Sequence, residues 1–409
     1  MNAPATGRLS FGRGVLILVP FALYPSVDFI FRITNGLIAP NLSAEFSLNA
    51  AQLGFISSVF FIAFGLSQVP LGLALDRFGP RNATLFLLAT GIAGVLVFAG
   101  AGNQLELIAG RVLLGIGMSA SLIAGIKATT LWLPGRLPFT TLILVGSTGV
   151  GGMIATVPFA EVLKAHSWQD ALLVLASVTV LLFIAIALLT PGGGGDRSVP
   201  VFRQFTGFGV VLRSHVLWRF APIAMAGVGA GSAYQTLWAP LWLRDVAQFT
   251  PSEVAWTMLS MLGVYAAGNF IFGCLAQKFV DSGKSTMAII LPAFLIFVGC
   301  QVGLALGLRD WAVELWLLAS LTLAGAYAVY PLVTGNFPSD YAARASSTLN
   351  LLVFASVFVT QWLIGVIIDG FTVSKNGNFS SEAYGWAFFT IIGLQLLSVG
   401  WYFILGRKN

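Results

Sequence analysis

"LLVLASVTVLLFIAIALL", residues 172–189, runs for eighteen residues without a charge. As a helix it would be about 27 Å long, close to the hydrocarbon thickness of a bilayer. It shows no 3.6-residue alternation, so such a helix is apolar nearly all round, as a lipid-embedded helix must be. Comparable runs recur at 95–103 ("VLVFAGAGN") and 388–405 ("FFTIIGLQLLSVGWYFIL"). Of the 409 residues, 57% are hydrophobic and only 9% charged, against roughly 25% charged in a globular protein. That is too few charges to clothe a water-facing surface. The chain reads as an all-α membrane protein.

Apolar runs and polar breaks predict twelve spans, at about 14–38, 50–74, 83–102, 106–131, 140–162, 168–190, 217–242, 254–277, 285–307, 313–335, 346–369 and 385–406. The longest interior break begins "PGGGGDRSVP" after the sixth span. Its glycines and scattered arginines read as a flexible linker. The expected organisation is an N-terminal six-helix bundle (1–190), a cytoplasmic linker (191–216) and a C-terminal six-helix bundle (217–409).

Orientation follows from the basic residues of the short loops. With the N-terminus inside, the inner face collects Arg8, Arg13, Arg77, Arg81, Lys127, Arg136, Arg197, Arg203, Arg213, Arg219, Lys278, Lys284, Arg344, Arg407 and Lys408. The outer face holds Lys164, Arg244, Arg309 and Lys375. Both termini are therefore expected in the cytoplasm of a multi-pass cell (inner) membrane protein. The net charge of +6 marks topology, and a nucleic-acid partner loses its support. The first apolar run is too long for a signal-peptide core and reads as a retained span. Cys274 and Cys300 fall in apolar segments and His166 and His215 in loops, so no metal cluster has ligand spacing. With no phosphate-binding loop either, no cofactor and no ATP-driven pump is expected.

After the second span comes "GLALDRFGPR", residues 72–81. It resembles the signature loop of the major facilitator superfamily, Gly-x-(Leu/Ala)-Ala-Asp-Arg-x-Gly-Arg-Arg. Gly72, Asp76, Arg77, Gly79 and Arg81 match, while Leu75 and Pro80 depart from it. A decayed copy, "GCLAQKFVDSGK", follows the eighth span and keeps Gly273 and Lys278, with Gln277 replacing the acid. Gly72 and Gly273 lie 201 residues apart, as two repeats require. In the fourth span, "RVLLGIGMSA" places Arg111, Gly115 and Gly117 on the family's Arg-x-x-x-Gly-x-Gly pattern. The resemblance covers the whole chain and implies twelve helices in two six-helix pseudo-repeats, a secondary transporter working as a monomer, and no enzyme. It further implies a cytoplasmic latch built from the signature loop. In it Asp76 faces the N-terminal end of helix 11, near Ser346 to Thr348, where the helix dipole favours an anion.

Two basic residues, Arg32 and Arg111, fall inside spans, and Asp28 is the acid placed deep within one. Each mid-membrane charge costs about 2.5–3.5 kcal/mol on insertion scales. Spaced i,i+4, Asp28 and Arg32 share a helical face and can pair. Span 4 runs antiparallel, which brings Arg111 to the level of Arg32, so the three can form a cluster of excess positive charge. The alternative is that the arginines snorkel outward and Asp28 is a structural counter-ion. If transport is coupled to protons through a carboxylate, Asp28 is the candidate. Lys127 reads either as an inside marker or as a contact for a departing solute.

Tyr24, Tyr234, Gln235, Asn269, Tyr327, Tyr330, Asn350 and Gln361 are costly to expose to lipid, and as a set they argue for a solute cavity with Arg32 and Arg111. For any one of them a helix–helix hydrogen bond is an equal reading. In span 5, "GSTGVGG" (146–152) partly resembles the glycine-rich motif of proton-driven antiporters, but the Gly-Pro is missing and close packing explains it. The first functional expectation is proton-coupled uptake of a small anionic or zwitterionic solute such as an organic acid, amino acid or short peptide, because guanidinium binds carboxylate in bidentate fashion. The alternatives are proton-driven efflux of apolar or cationic compounds, with Asp28 as cation partner, and a non-transporting receptor that has kept the fold.

Overall fold

The computed structural model describes residues 11–133, 136–195, 208–371 and 378–406. Outside these fall Arg8, Arg197, Arg203, Lys375, Arg407 and Lys408 of the charge count, and residues 196–207 of the expected linker. Among the described residues, ten helices are each long and apolar enough to cross a membrane. Two further crossings complete the twelve. The 50-residue helix Ala50–Ala99 would be about 75 Å long if straight, more than twice a bilayer core. It breaks at Gly79, where φ is +77°, and its two arms are spans 2 and 3. Span 7 consists of His215–Ala233, a π-turn at Tyr234–Trp238, and Ala239–Asp245, none of which crosses alone.

The remaining spans are 1 (Phe11–Phe46), 4 (Gln104–Met118 with Ser121–Trp132), 5 (Leu137–Ile154 with Val157–Ala165), 6 (Trp168–Leu189) and 8 (Pro251–Asp281). They continue with 9 (Met287–Ala305), 10 (Ala312–Ala326 with Val329–Gly335), 11 (Ser339–Asp369) and 12 (Ser381–Gly406). Spans 2 and 8 each start on a capping box, Asn49 with Gln52 and Thr250 with Glu253. These satisfy the free N–H groups of a helix emerging into polar surroundings. The two caps repeat the 201-residue offset of the loop glycines.

At Gly79 the positive φ strains any side chain, and a Cβ there would also collide with the Gly193 carbonyl. The start of the glycine run is seated against this turn, with Gly195 facing the backbone of Arg77 and Phe78. These linker residues are thus docked, where the sequence suggested a loose chain; the glycines allow two backbones to touch. Gly79→Val is expected to cost about 1–3 kcal/mol of stability, read as a lower unfolding temperature in detergent. An unchanged temperature would contradict the tight turn.

The two halves meet unequally. Toward the end expected to be external, one apolar cluster runs through both, from Phe60, Phe61 and Leu53 to Trp238, Val357 and Ile364. Toward the expected cytoplasmic end, the second half keeps a core of its own around Leu217, Met287, Val329, Val333, Ala345 and Leu349, with no described residue of the first half in it. The bundle is sealed on one side and divided on the other.

Glycine makes the seal close. A Cβ on Gly54 of span 2 would stand 2.8 Å from the Gln361 carbonyl of span 11, and one on Gly36 of span 1 would stand 2.9 Å from the Thr236 carbonyl of span 7. Trp238 Nε1 donates to the same Gln361 carbonyl at 3.0 Å. Gly54→Val should therefore wedge spans 2 and 11 apart and move the closed-to-parted balance by about 5–150-fold. The readout is a Ser232→Cys probe in a Cys274→Ser, Cys300→Ser background, labelled by an impermeant reagent added outside. Labelling that does not rise would mean the seal lies elsewhere.

Candidate functional site

Under the seal lies a cavity between the halves, lined by Phe29 and Arg32 of span 1, Phe61 of span 2, and residues of spans 7, 8, 10 and 11. Its polar groups are Arg32, Ser232, Gln235, Thr236, Tyr265, Tyr327, Tyr330 and Asn350, set among Phe29, Phe61, Val228, Val353 and Phe354. Among the described residues, Arg32 is the one charged side chain in this lining. The free space is about 70 Å³, well below the roughly 300 Å³ of ordinary ligand pockets. Binding an organic solute therefore requires the lining to move. Tyr327 also lines a second recess of about 370 Å³ between spans 8 and 10, which is bordered by Asn269 and Gln277.

Asp28 and Arg32 pair as their spacing predicts. Arg32 Nε donates to Asp28 Oδ1 at 2.8 Å and Nη2 to Oδ2 at 2.7 Å. Ser121 Oγ of span 4 adds a third hydrogen bond to Oδ2 at 2.9 Å. Asp28 is only 4% exposed and stands behind Arg32, outside the lining. The Arg32 Cζ rests 4.4 Å from the Phe64 ring centroid and 5.3 Å from that of Phe354, within cation–π range. Its Nη1 has no hydrogen-bond partner among the described residues, and the guanidinium therefore keeps a free donor edge at the cavity.

Arg111 is at the expected level but turned away. It is fully packed, and its guanidinium donates to the Ser57 carbonyl at 3.0 Å and the Phe31 carbonyl at 3.4 Å. The Phe60 ring stands against both arginines, 5.6 Å from Arg32 Cζ and 5.0 Å from Arg111 Cζ. Arg111 straps span 4 to spans 1 and 2, and it is not in the cavity lining. The other polar candidates divide. Gln235, Tyr327, Tyr330 and Asn350 do line the cavity, with Tyr330 Oη donating to Asn350 Oδ1 at 3.0 Å.

Tyr24 instead donates to the Gly117 carbonyl, and Tyr234 donates to Gln301 at 2.7 Å among Trp316 and Phe388, so both serve helix packing. Asn269 donates to the Tyr265 carbonyl at 2.9 Å and borders the second recess. Gln361 is buried in the seal. Tyr265 was not anticipated from the sequence. It lies one turn before Asn269 and packs edge-on to Tyr327 at 5.9 Å. An eight-tyrosine chain with one in span 8 was its only signal. Phe29, Phe61, Phe354 and Ser121 carry none, being ordinary residues of apolar helices.

In the signature loop, Asp76 Oδ1 accepts from Lys127 Nζ of span 4 at 2.7 Å, a pair with both side chains about a third exposed (33% for Lys127, 38% for Asp76). Arg81 Nη2 donates to the Ala187 carbonyl at the end of span 6 at 2.7 Å. Both contacts lie inside the first half. Lys127 supplies a cationic partner that the loop pattern did not name.

A sequence model of the Major Facilitator Superfamily matches residues 21–361. The probable sulfoacetate transporter SauU of Cupriavidus necator is 26% identical over 383 residues, covering 91% of this chain and 83% of that protein. The hexuronate transporter of Escherichia coli K12 is 23% identical over 366 residues, covering 84% and 76%. A bacterial homologue of the human lysosomal transporter Spinster, solved inward-facing and unoccupied, matches the fold with a TM-score of 0.78 at 18% identity, covering 98% of both chains.

Proposed function

The chain belongs to the Major Facilitator Superfamily, and from that premise we propose that it carries a small organic anion across the cell membrane by alternating access, taking it up together with protons. The observation that carries this reading is Arg32, the charged group of the cavity lining, with a free donor edge. A guanidinium binds carboxylate or sulfonate through paired hydrogen bonds, and a low-dielectric cavity strengthens them. Two relatives named for sulfoacetate and hexuronate support an anion as cargo. The family and these relatives are transporters rather than enzymes.

Coupling follows from competition for one guanidinium. While Asp28 is ionised, it holds Nε and Nη2 of Arg32. A proton on Asp28 removes this competing negative charge, so the free edge of the guanidinium holds the solute anion more strongly. Anion and proton then travel together, and loss of the proton on the other side restores the internal pair and expels the anion. Swinging Tyr327 aside opens the larger recess as a way out. The charge bias puts both termini in the cytoplasm, and the dividing end of the bundle then faces inward. We take the working unit to be a monomer.

Efflux of cations needs an accessible carboxylate in the cavity. Asp28 has both oxygens engaged and stands behind Arg32, which weighs against that reading. The test is a thermal-shift panel on purified protein, contrasting small carboxylates, sulfonates, amino acids and dipeptides with lipophilic cations. Anions should raise the unfolding temperature. Stabilisation by cations alone would overturn the proposal.

A further inference from the structure

The cavity at Arg32 is walled by rings. Among the described residues, six of the thirteen in its lining are aromatic, in a chain that is 13% aromatic overall. They are Phe29, Phe61, Phe354, Tyr265, Tyr327 and Tyr330, contributed by spans 1, 2, 8, 10 and 11. Val228 and Val353 are the aliphatic side chains there, and no described leucine, isoleucine or methionine joins them. Contact with lipid accounts for phenylalanines on the outside of a bundle. These six border an internal space and share it with the guanidinium.

The rings already pair with one another. Tyr265 stands edge-on to Tyr327 with centroids 5.9 Å apart, and Tyr327 lies nearly parallel to Tyr330 at 6.1 Å and 14°. Phe61 and Phe354 are also near-parallel, at 6.3 Å and 12°. Rings at about 4.5–7 Å attract each other beyond the area they bury, so this lining offers an incoming ring more than an aliphatic one would. Charge narrows the solute further. Arg32 matches one anionic group, and a second would be buried without a partner among the described lining residues. An ammonium group would find no carboxylate there, because Asp28 stands outside the lining. The neutral polar groups are partly engaged already: Thr236 Oγ1 donates to the Ser232 carbonyl at 2.7 Å, and Asn350 Oδ1 accepts from Tyr330. Space is scarce at about 70 Å³, and a flat body requires the walls to part least.

Resting on the anion-transport reading, we infer that the cargo is an aromatic monocarboxylate, with its carboxylate on Arg32 and its ring among Phe61, Tyr265 and Tyr327. Tyr327 is then a specificity-determining residue, since its ring contacts the part of the solute that distinguishes an aromatic acid from a saturated one. Conjugation keeps an aryl carboxylate in the plane of its ring. The guanidinium edge that grips the carboxylate therefore also sets the plane in which the ring lies. A polyhydroxylated acid fits poorly, because its hydroxyls would lose water against ring faces and gain few partners.

The probes are benzoate, cyclohexanecarboxylate (a saturated ring of the same size) and D-glucuronate. Each is titrated at neutral pH, where all three are ionised, by thermal shift and isothermal calorimetry on purified protein. The wild type should bind benzoate about 2–12-fold more tightly than cyclohexanecarboxylate, the worth of one aromatic pair. It should bind benzoate at least about 10-fold more tightly than D-glucuronate. Tyr327→Leu should bring the first ratio to about one, while Tyr327→Phe, which keeps the ring, should preserve it. The double variant Asp28→Asn, Arg32→Ala should lose all three acids, which separates binding at the site from partition into detergent. If Tyr327→Leu fails to fold, Tyr265→Leu carries the comparison. Equal binding of benzoate and cyclohexanecarboxylate, tighter binding of D-glucuronate, or a ratio unmoved in the folded leucine variant overturns the aromatic cargo and leaves the anion reading standing. Binding of none of the three also overturns the aromatic cargo. The anion reading falls with it only if the wider panel of carboxylates and sulfonates fails to stabilise the protein.

Discussion

Arg32→Ala is expected to reduce binding of the transported anion by about 100-fold or more, the size of loss seen when one member of a desolvated, hydrogen-bonded charge pair is removed. The variant also strips Asp28 of its partner, and an uncompensated buried charge destabilises by about 3–5 kcal/mol. Lost binding alone could then be mistaken for lost folding. The double variant Asp28→Asn, Arg32→Ala separates the two, because a neutral amide at position 28 needs no counter-ion. It should recover the unfolding temperature and still fail to bind. If either variant binds anions as the wild type does, the guanidinium is not the anion's contact.

Asp28→Asn should have an equally large but different effect. Asparagine keeps the shape and a carbonyl for Ser121 or Arg32, yet it neither takes nor gives a proton at any working pH. Arg32 is then permanently released, so anion exchange across a membrane with the same pH on both sides should continue. Accumulation driven by an imposed pH gradient should fall to the equilibrium ratio of about one, since the coupling step no longer exists. Proteoliposomes loaded with labelled anion measure both in one preparation. Gradient-driven accumulation that survives in Asp28→Asn would remove this carboxylate from the coupling scheme, leaving Arg32 as a simple anion receptor.

These two experiments address the part of the site that is local in the chain. Asp28 and Arg32 are one turn apart, so their pairing is a consequence of helix geometry that holds whatever surrounds them. Their third partner, Ser121, is 93 residues away and came only with the packing of span 4 on span 1. Arg111 illustrates the limit from the other side. Its depth in the bilayer follows from counting residues along span 4, and that level is where it lies, beside Phe60. Its rotation about the helix axis does not follow from counting. It turned toward two backbone carbonyls rather than toward the cavity.

The sequence by itself determined the medium, the number of crossings and the superfamily, since these rest on the cost of bare backbone and charge in hydrocarbon and on a loop motif that needs contiguous residues. The break at Gly79 between spans 2 and 3, and the repeat offset of 201 residues, belong to the same class of local signal. Tertiary structure decided which polar side chains share a space. In a soluble helix an apolar stripe reveals which face is buried, but these spans are apolar on the lipid side and the packed side alike, so rotation leaves little trace in the pattern. That is why Tyr234 and Tyr24 went to helix packing while Tyr265 came to the cavity.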